Sequence, residues 1–259
     1  MKKVAVLGCG PAGLLAAHAV EQSGHTPYIY SRKQKSVIPG SQYLHEPIPG
    51  VTDMYPENTV QYVRLGTAQG YGLKVYGDGY RNTGWENYDR LYPSWNVIRA
   101  YDKLWERFEP RIGDMDVTAE MVPALVEEHD LVISTLPAPA MCEFDGEHQF
   151  ESTPFWIKTL PTEEIDRNHD IVIYNGLPSD PWYRWSILGG VTSIEYATDS
   201  IVDEDDGVEY LTIGTGRKAI NNDCDCHPSM VRAGRWAEWR HGVLLHHAYR
   251  KALTALEEL

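Results

Sequence analysis

The opening stretch leaves this chain few folds to choose from. A short apolar run, Val4 to Leu7, enters Gly8-Cys-Gly10-Pro-Ala-Gly13; an Ala- and Leu-rich helical segment follows, Gly24 closes it, and a second strand begins at Tyr28. Strand, glycines, helix and second strand in this order predict a βαβ unit that binds a dinucleotide. Gly8 permits the tight turn, Gly10 lets the backbone approach a pyrophosphate, and Gly13 lets helix and strand pack closely. Pro11 and Ala12 begin the helix, whose N-terminus holds the anion.

With 259 residues the chain is long enough to bury a sizeable core, as one large domain or two small ones. A net charge of −14 argues against general affinity for nucleic acid or membrane surfaces, which needs clustered Lys and Arg. The cysteines, at positions 9, 142, 224 and 226, are too few and too irregularly spaced for a secreted disulfide framework, which points to the cytoplasm. The apolar run after Met1-Lys2-Lys3 is too short for a signal peptide, and no stretch has the roughly twenty apolar residues of a membrane span.

Where a dinucleotide site places an acid for the ribose, this chain has Ser31, followed by Arg32 and Lys33. Such a trio suits the 2′-phosphate of NADP, and the serine hydroxyl also suits a ribose. Residues 35–50, rich in Pro and Gly, form an extended loop expected to lie over the cofactor; Gly40, Ser41 and Gln42 are binding candidates. His45 is either a proton carrier or a hydrogen-bonded structural histidine. The Tyr- and Gly-rich stretch 60–95 reads as a small antiparallel excursion, with Gly72 to Tyr76 alternating as a strand. Pro93-Ser94 then caps a helix from Trp95 to Phe108.

A short helix behind Val117-Thr118 and a buried strand, Asp130 to Pro137, form another α/β unit. The strand's carboxyl end, Thr135 to Pro139, is a candidate backbone contact with the cofactor. From Phe155 the pattern changes to β runs, with a hairpin turning at Gly189-Gly190. Asp203 to Asp206 reads as a solvated acidic turn. Cys224-Asp-Cys226-His227 invites a zinc reading, but the spacing is tight and no second CxxC or HxxxH pair is available, so no metal is expected. A helix from about Trp239 to Leu256 ends the chain.

Two separated segments carry a resemblance. Gly8-Cys-Gly10-Pro-Ala-Gly13-Leu looks like the FAD-binding start of glutathione-reductase-type flavoproteins. Gly234-Arg235-Trp-Ala-Glu-Trp239-Arg240 is similar to the Gly-Arg segment that UDP-galactopyranose mutases and amine-oxidase-like flavoproteins place against FAD. The resemblance implies that Gly234, Arg235 and the backbone from His241 through Leu244 to Leu245 contact the cofactor. The family's ribose acid is Ser31 here, its arginine-diglycine loop survives only as Gly40-Ser41, and the mutase's substrate arginines have no counterpart. The chain is also similar to small flavoprotein-like chains of bacteriophages, some of which act on amine-bearing hypermodified bases.

The expected fold is α/β: a Rossmann-like FAD/NAD(P)-binding parallel sheet formed by residues 1–150 and 208–259, with an excursion at about 40–95. A mainly antiparallel β region, 151–207, covers the substrate. The expected function is that of an FAD flavoenzyme, an oxidoreductase or flavin-dependent lyase acting on an amine or amino-acid-like substrate. Tyr183 and Arg184 on the hairpin, with His45 and His227, are the catalytic candidates. Arg184 either clamps an anionic substrate or pairs with Glu195. The alternatives are a phage-type enzyme acting on a modified DNA base, an NADP-dependent reductase and a non-catalytic nucleotide-binding protein.

Overall fold

The computed structural model describes residues 1–38, 42–77, 85, 90–144, 146–161, 170–197 and 212–259. The chain starts in β1 (Lys3–Leu7), α1 (Pro11–Gln22) and β2 (Thr26–Ser31), then leaves for β3 (Tyr43–Leu44), β4 (Asn58–Gly66), α2 (Ala68–Tyr76) and β5 (Leu91–Asn96). Helix α3 (Val97–Phe108) leads it back to β6 (Ile112–Asp114), α4 (Val122–Glu128) and β7 (Leu131–Ser134). A second departure makes β8 (Phe150–Pro161), β9 (Asp170–Gly176), β10 (Trp182–Leu188), β11 (Val191–Ala197) and β12 (Thr212–Asn222). The chain returns through β13 (Met230–Arg232), α5 (Arg235–Glu238) and α6 (Leu245–Glu257).

The strands form two sheets. A parallel one has the order β13-β7-β1-β2-β6, and a larger one has the order β12-β8-β11-β10-β9-β4-β5-β3. Every pair in the larger sheet is antiparallel except β4 with β9. The expected α/β class with a parallel nucleotide-type sheet and a second, mainly antiparallel region is therefore the observed one. Both faces of β1 are buried, as a parallel sheet requires. Val4 and Val6 pack with Leu14, Leu15, Leu104, Phe108 and Leu256. Ala5 and Leu7, pointing the other way, pack with Val122, Leu125 and Met230.

Sheet membership departs from the expected division at two places. Thr212–Asn222 pairs with β8 in the large sheet, and the strands of the 43–96 stretch join that same sheet instead of standing as a separate excursion. Gly72 to Tyr76 is helical: Thr67 caps α2 by accepting the N–H of Gly70 at 3.0 Å, and Tyr71, Val75 and Tyr76 bury one face. The four-residue spacing of Tyr71 and Val75, and of Gly72 and Tyr76, overrides the short alternation. Ser94 lies inside β5, and the cap of α3 is Asn96, whose Oδ1 accepts from the N–H groups of Ile98 at 2.9 Å and Arg99 at 3.1 Å. The last long helix begins at Leu245, after a short helical turn and a loop. The hairpin forms as read, with Gly189 at φ 58° and Gly190 at φ 79°.

Candidate functional site

The glycine loop is built by close backbone approach. Gly8 sits at φ 103°, in the left-handed region, and its N–H donates to the Tyr30 carbonyl at 2.9 Å. A Cβ on Gly13 would lie 2.0 Å from the Gly8 carbonyl oxygen, which no side chain can occupy. Gly10 differs: a Cβ there would meet only Ser36 Oγ, at 3.6 Å. Its freedom answers no need of the chain's own packing, which leaves room beside the loop for a ligand. Helix α1 starts at Pro11 without a side-chain cap, so its first N–H groups face outward with the positive end of the helix dipole.

Thr135 supports this loop from below. Its N–H and its hydroxyl both donate to the Leu7 carbonyl, at 2.8 and 2.9 Å, so its backbone donor is already engaged within the fold. Gly234 arrives from the far end of the chain at φ 96°; a Cβ on it would lie 3.1 Å from the Ala12 Cβ and 3.7 Å from that of Ala248. The fold thus presses the Gly-Arg segment against the start of α1 and against α6.

Ser31 ends β2, its carbonyl accepting from Met115 N–H at 3.0 Å. Arg32 pairs with Asp116 at 3.4 Å and Lys33 with Glu109 at 2.7 Å, while Asp114 accepts the Lys33 N–H at 3.1 Å. The two cations expected to meet a 2′-phosphate stand instead among three carboxylates. Gln42 is exposed, and Gly40 and Ser41 lie outside the described residues, as does the acidic stretch at 203–206.

The large sheet carries a second polar centre. Arg184 on β10 stands opposite Glu195 on β11, and its guanidinium binds that carboxylate. Lys218, from β12, reaches the other carboxylate oxygen at 2.9 Å and lies 4.3 Å above the ring of Tyr183. Burial alone would raise the Glu195 carboxyl; Arg184 and Lys218 overcome it and hold it down at about 2. Burial, partly opposed by Glu195, pushes the Lys218 ammonium down to about 8. Arg235 is lowered by burial and then by Arg184, a sign that the two guanidiniums are neighbours; its Nε donates to the Val243 carbonyl at 3.1 Å. Arg184 and Lys218 thus share one carboxylate, and Arg235 is near enough to feel both it and Arg184. Tyr183 itself is 1 % exposed and packed with Tyr71, Val75 and Ile220, which makes it a wall of this centre.

The two histidine candidates are separated. His45 stacks on Tyr43, ring centroids 4.2 Å apart, and its ring centroid lies 5.9 Å from that of His246 in the first turn of α6. Burial, then His246 and His247, push His45 down to about 4, which favours the neutral imidazole. The Leu244 N–H, expected to face the cofactor, donates to His247 Nδ1 at 3.0 Å. His227 lies beyond the end of β12, at φ 57°, with its Nε2 3.4 Å from Glu143. Lys218 belongs to the middle of the same strand, so His227 does not stand beside the Arg184 pair.

This geometry has known counterparts. No protein-family model matches the chain, and no curated protein matches it in sequence. The fold is that of FAD-dependent flavoproteins. It superposes on a reduced UDP-galactopyranose mutase with a TM-score of 0.56 over 100 % of this chain and 95 % of that one, at 11 % identity. It matches CtdE in complex with FAD and a substrate at 0.55, over 100 % of this chain and 81 % of that chain, at 11 % identity. The flavin-dependent brominase Bmp2 gives 0.59, over 99 % and 78 %, at 9 % identity. These likenesses carry the fold.

Lys218 and His246 escaped the sequence reading. Around Lys218 the sequence reads Gly214-Thr-Gly-Arg-Lys-Ala-Ile220, with two glycines and little apolar alternation to mark a strand. The available signal for His246 was its place shortly after the Gly-Arg segment, in the part of the chain expected to face the cofactor.

Proposed function

We propose that this chain binds FAD and uses it as an oxidoreductase on a small carboxylate-bearing, amino-acid-like substrate. The observation that carries the reading is the meeting of Gly234 with Ala12, which joins the Gly-Arg segment to the glycine loop across nearly the whole chain. The residues present fit the cofactor: the open side of Gly10 and the uncapped start of α1 suit a diphosphate, and Gly234 brings the Gly-Arg segment against the same helix start. Bound FAD supplies a two-electron acceptor, which no side chain of the protein can provide.

The chain's own residues supply orientation and charge. Arg184 and Lys218 exceed the single carboxylate they share, so a substrate carboxylate finds a cationic site already organised by Glu195. The amine expected from the resemblance is then held by the other end of the same molecule. Neutral His45 and His246 near the head of α6 offer hydrogen bonds without adding charge. The NADP reading is disfavoured by Asp114, Asp116 and Glu109, which would repel a 2′-phosphate at Arg32 and Lys33.

Purified protein should be yellow with the absorption bands of an oxidised flavin. Arg235→Ala should give folded, colourless protein, whereas Arg184→Ala should stay yellow and lose the spectral perturbation caused by added amino acids. A colourless wild-type preparation that binds NADPH and not FAD would sink the proposal.

A further inference from the structure

Just beyond the Phe150–Asn222 end of the β8–β12 ladder, four side chains from two distant parts of the sequence converge. Cys142, His148, Cys224 and Cys226 place their donor atoms within 4.8 Å of one another. Cys142 Sγ lies 4.0 Å from Cys226 Sγ and 3.3 Å from His148 Nδ1; Cys226 Sγ lies 3.8 Å from the same nitrogen. All of these cysteines are free thiols. We propose that this Cys3His cluster is a structural zinc site.

The spacing suits one ion. With Zn–S near 2.3 Å and Zn–N near 2.0 Å, a tetrahedron puts its donors about 3.5 to 3.8 Å apart, so the cluster closes on zinc with sub-ångström movements. A di-iron cluster would hold its sulfurs farther apart. Three thiolates and an imidazole, with every position filled by protein, are the donors of a closed structural site and leave no open position for catalysis. A disulfide between Cys142 and Cys226 would need an oxidant and would leave Cys224 and His148 without a role.

The surroundings are those of a metal site. Arg232 Nη2 donates to Cys224 Sγ at 3.2 Å and to the Cys226 carbonyl at 2.9 Å, while Nη1 donates to the Cys224 carbonyl at 2.9 Å. Its charge balances the surplus negative charge of three thiolates on a divalent ion. His148 turns Nδ1 to the sulfurs and Nε2 towards Asp225, 3.6 Å away, an outer carboxylate of the kind that accompanies a metal-bound imidazole. His227, adjacent in sequence, faces Glu143 and takes no part.

The site has a structural purpose. The last pair of the β8–β12 ladder is Phe150 with Asn222, and the ligands lie just outside it, two before β8 and two after β12. Zinc would clasp the open end of that ladder, and Arg232 ties the clasp to β13 of the parallel sheet. The strand so fixed, β12, carries Lys218.

Protein prepared under reducing conditions without chelator should contain one zinc per chain by mass spectrometry of the metal. Zinc X-ray absorption, which the flavin does not disturb, should show three sulfur neighbours and one nitrogen. Removing the ion with a mercurial and chelator should lower Tm by roughly 10 °C, reversed by added zinc. His148→Cys should keep zinc with four sulfurs, and His227→Ala should keep it unchanged, which separates loss of a ligand from failure to fold. Cys224→Ser should release it. Protein that carries no zinc and takes none up, zinc retained by Cys224→Ser, or a Cys142–Cys226 disulfide in the reduced preparation would overturn the proposal. None of these readings depends on whether the protein binds FAD.

Discussion

The glycine loop and the polar centre of the large sheet solve the same problem, holding a charged group in place, by opposite means. At the loop the work is done by backbone: a left-handed Gly8, a Gly13 pressed on the Gly8 carbonyl, and helix N–H groups left open. At the centre it is done by side chains whose strands meet only through sheet register, Arg184 opposite Glu195 and Lys218 from β12. At the loop, Gly13 tolerates no added atom, whereas the side-chain device depends on the charges it brings together. Substitutions at each should therefore fail in different ways.

The largest effect is expected at Gly13. An alanine there would put its Cβ 2.0 Å from the Gly8 carbonyl, so Gly13→Ala should lose at least about 3 kcal/mol and melt far below wild type in a thermal scan. Gly10→Ala sharpens the point. Gly10 has φ −66°, open to any residue, and a Cβ there meets only Ser36 Oγ at 3.6 Å, so this variant should melt like wild type yet retain no flavin after gel filtration. If Gly10→Ala stays yellow, the free side of the loop is not where the ligand lies.

Glu195→Gln should come next. It leaves Arg184 and Lys218 without their shared carboxylate and should cost about 3 kcal/mol in a denaturant titration, although the shape is nearly unchanged. The pH dependence has a definite sign. The folded carboxyl, at about 2, lies below its ordinary 4.5, so its contribution is complete above 4.5 and is lost as the pH falls towards 2. Wild type should lose stability across that window more steeply than Glu195→Gln; parallel curves would mean that the carboxylate is not held by its cations.

The same contrast explains what could be read from sequence. The βαβ start was legible because all its determinants lie within thirty residues and act through glycine sterics. The hairpin was legible because Gly189-Gly190 admits one tight turn between two strands. The Arg184–Glu195 pair followed from that hairpin and was one of two readings open for Arg184. Lys218 was not legible, since its strand contains Gly214 and Gly216 and its partner is chosen by pairing with β8. Nor was the cysteine cluster, because Cys142 and His148 reach Cys224 and Cys226 only after β8 and β12 have aligned. The fold class needs only local pattern, whereas these side-chain clusters need register.

The smallest expected effect tests this rule at a single boundary. Ser94 and Asn96 are both good helix caps, and local preference alone does not choose between them. Strand pairing chooses: Ser94 is opposite Asn58 and Asn96 opposite Tyr43, so β5 runs two residues farther and the helix starts at Val97. Asn96 Oδ1 then takes the two open N–H groups of Ile98 and Arg99. Asn96→Ala should accordingly cost about 1 kcal/mol in a denaturant titration, and Asn96→Asp, which keeps the acceptor and adds charge at the positive end of α3, should recover it. Were the aspartate as unstable as the alanine, the cap would lie elsewhere and sheet register would not have moved the helix start.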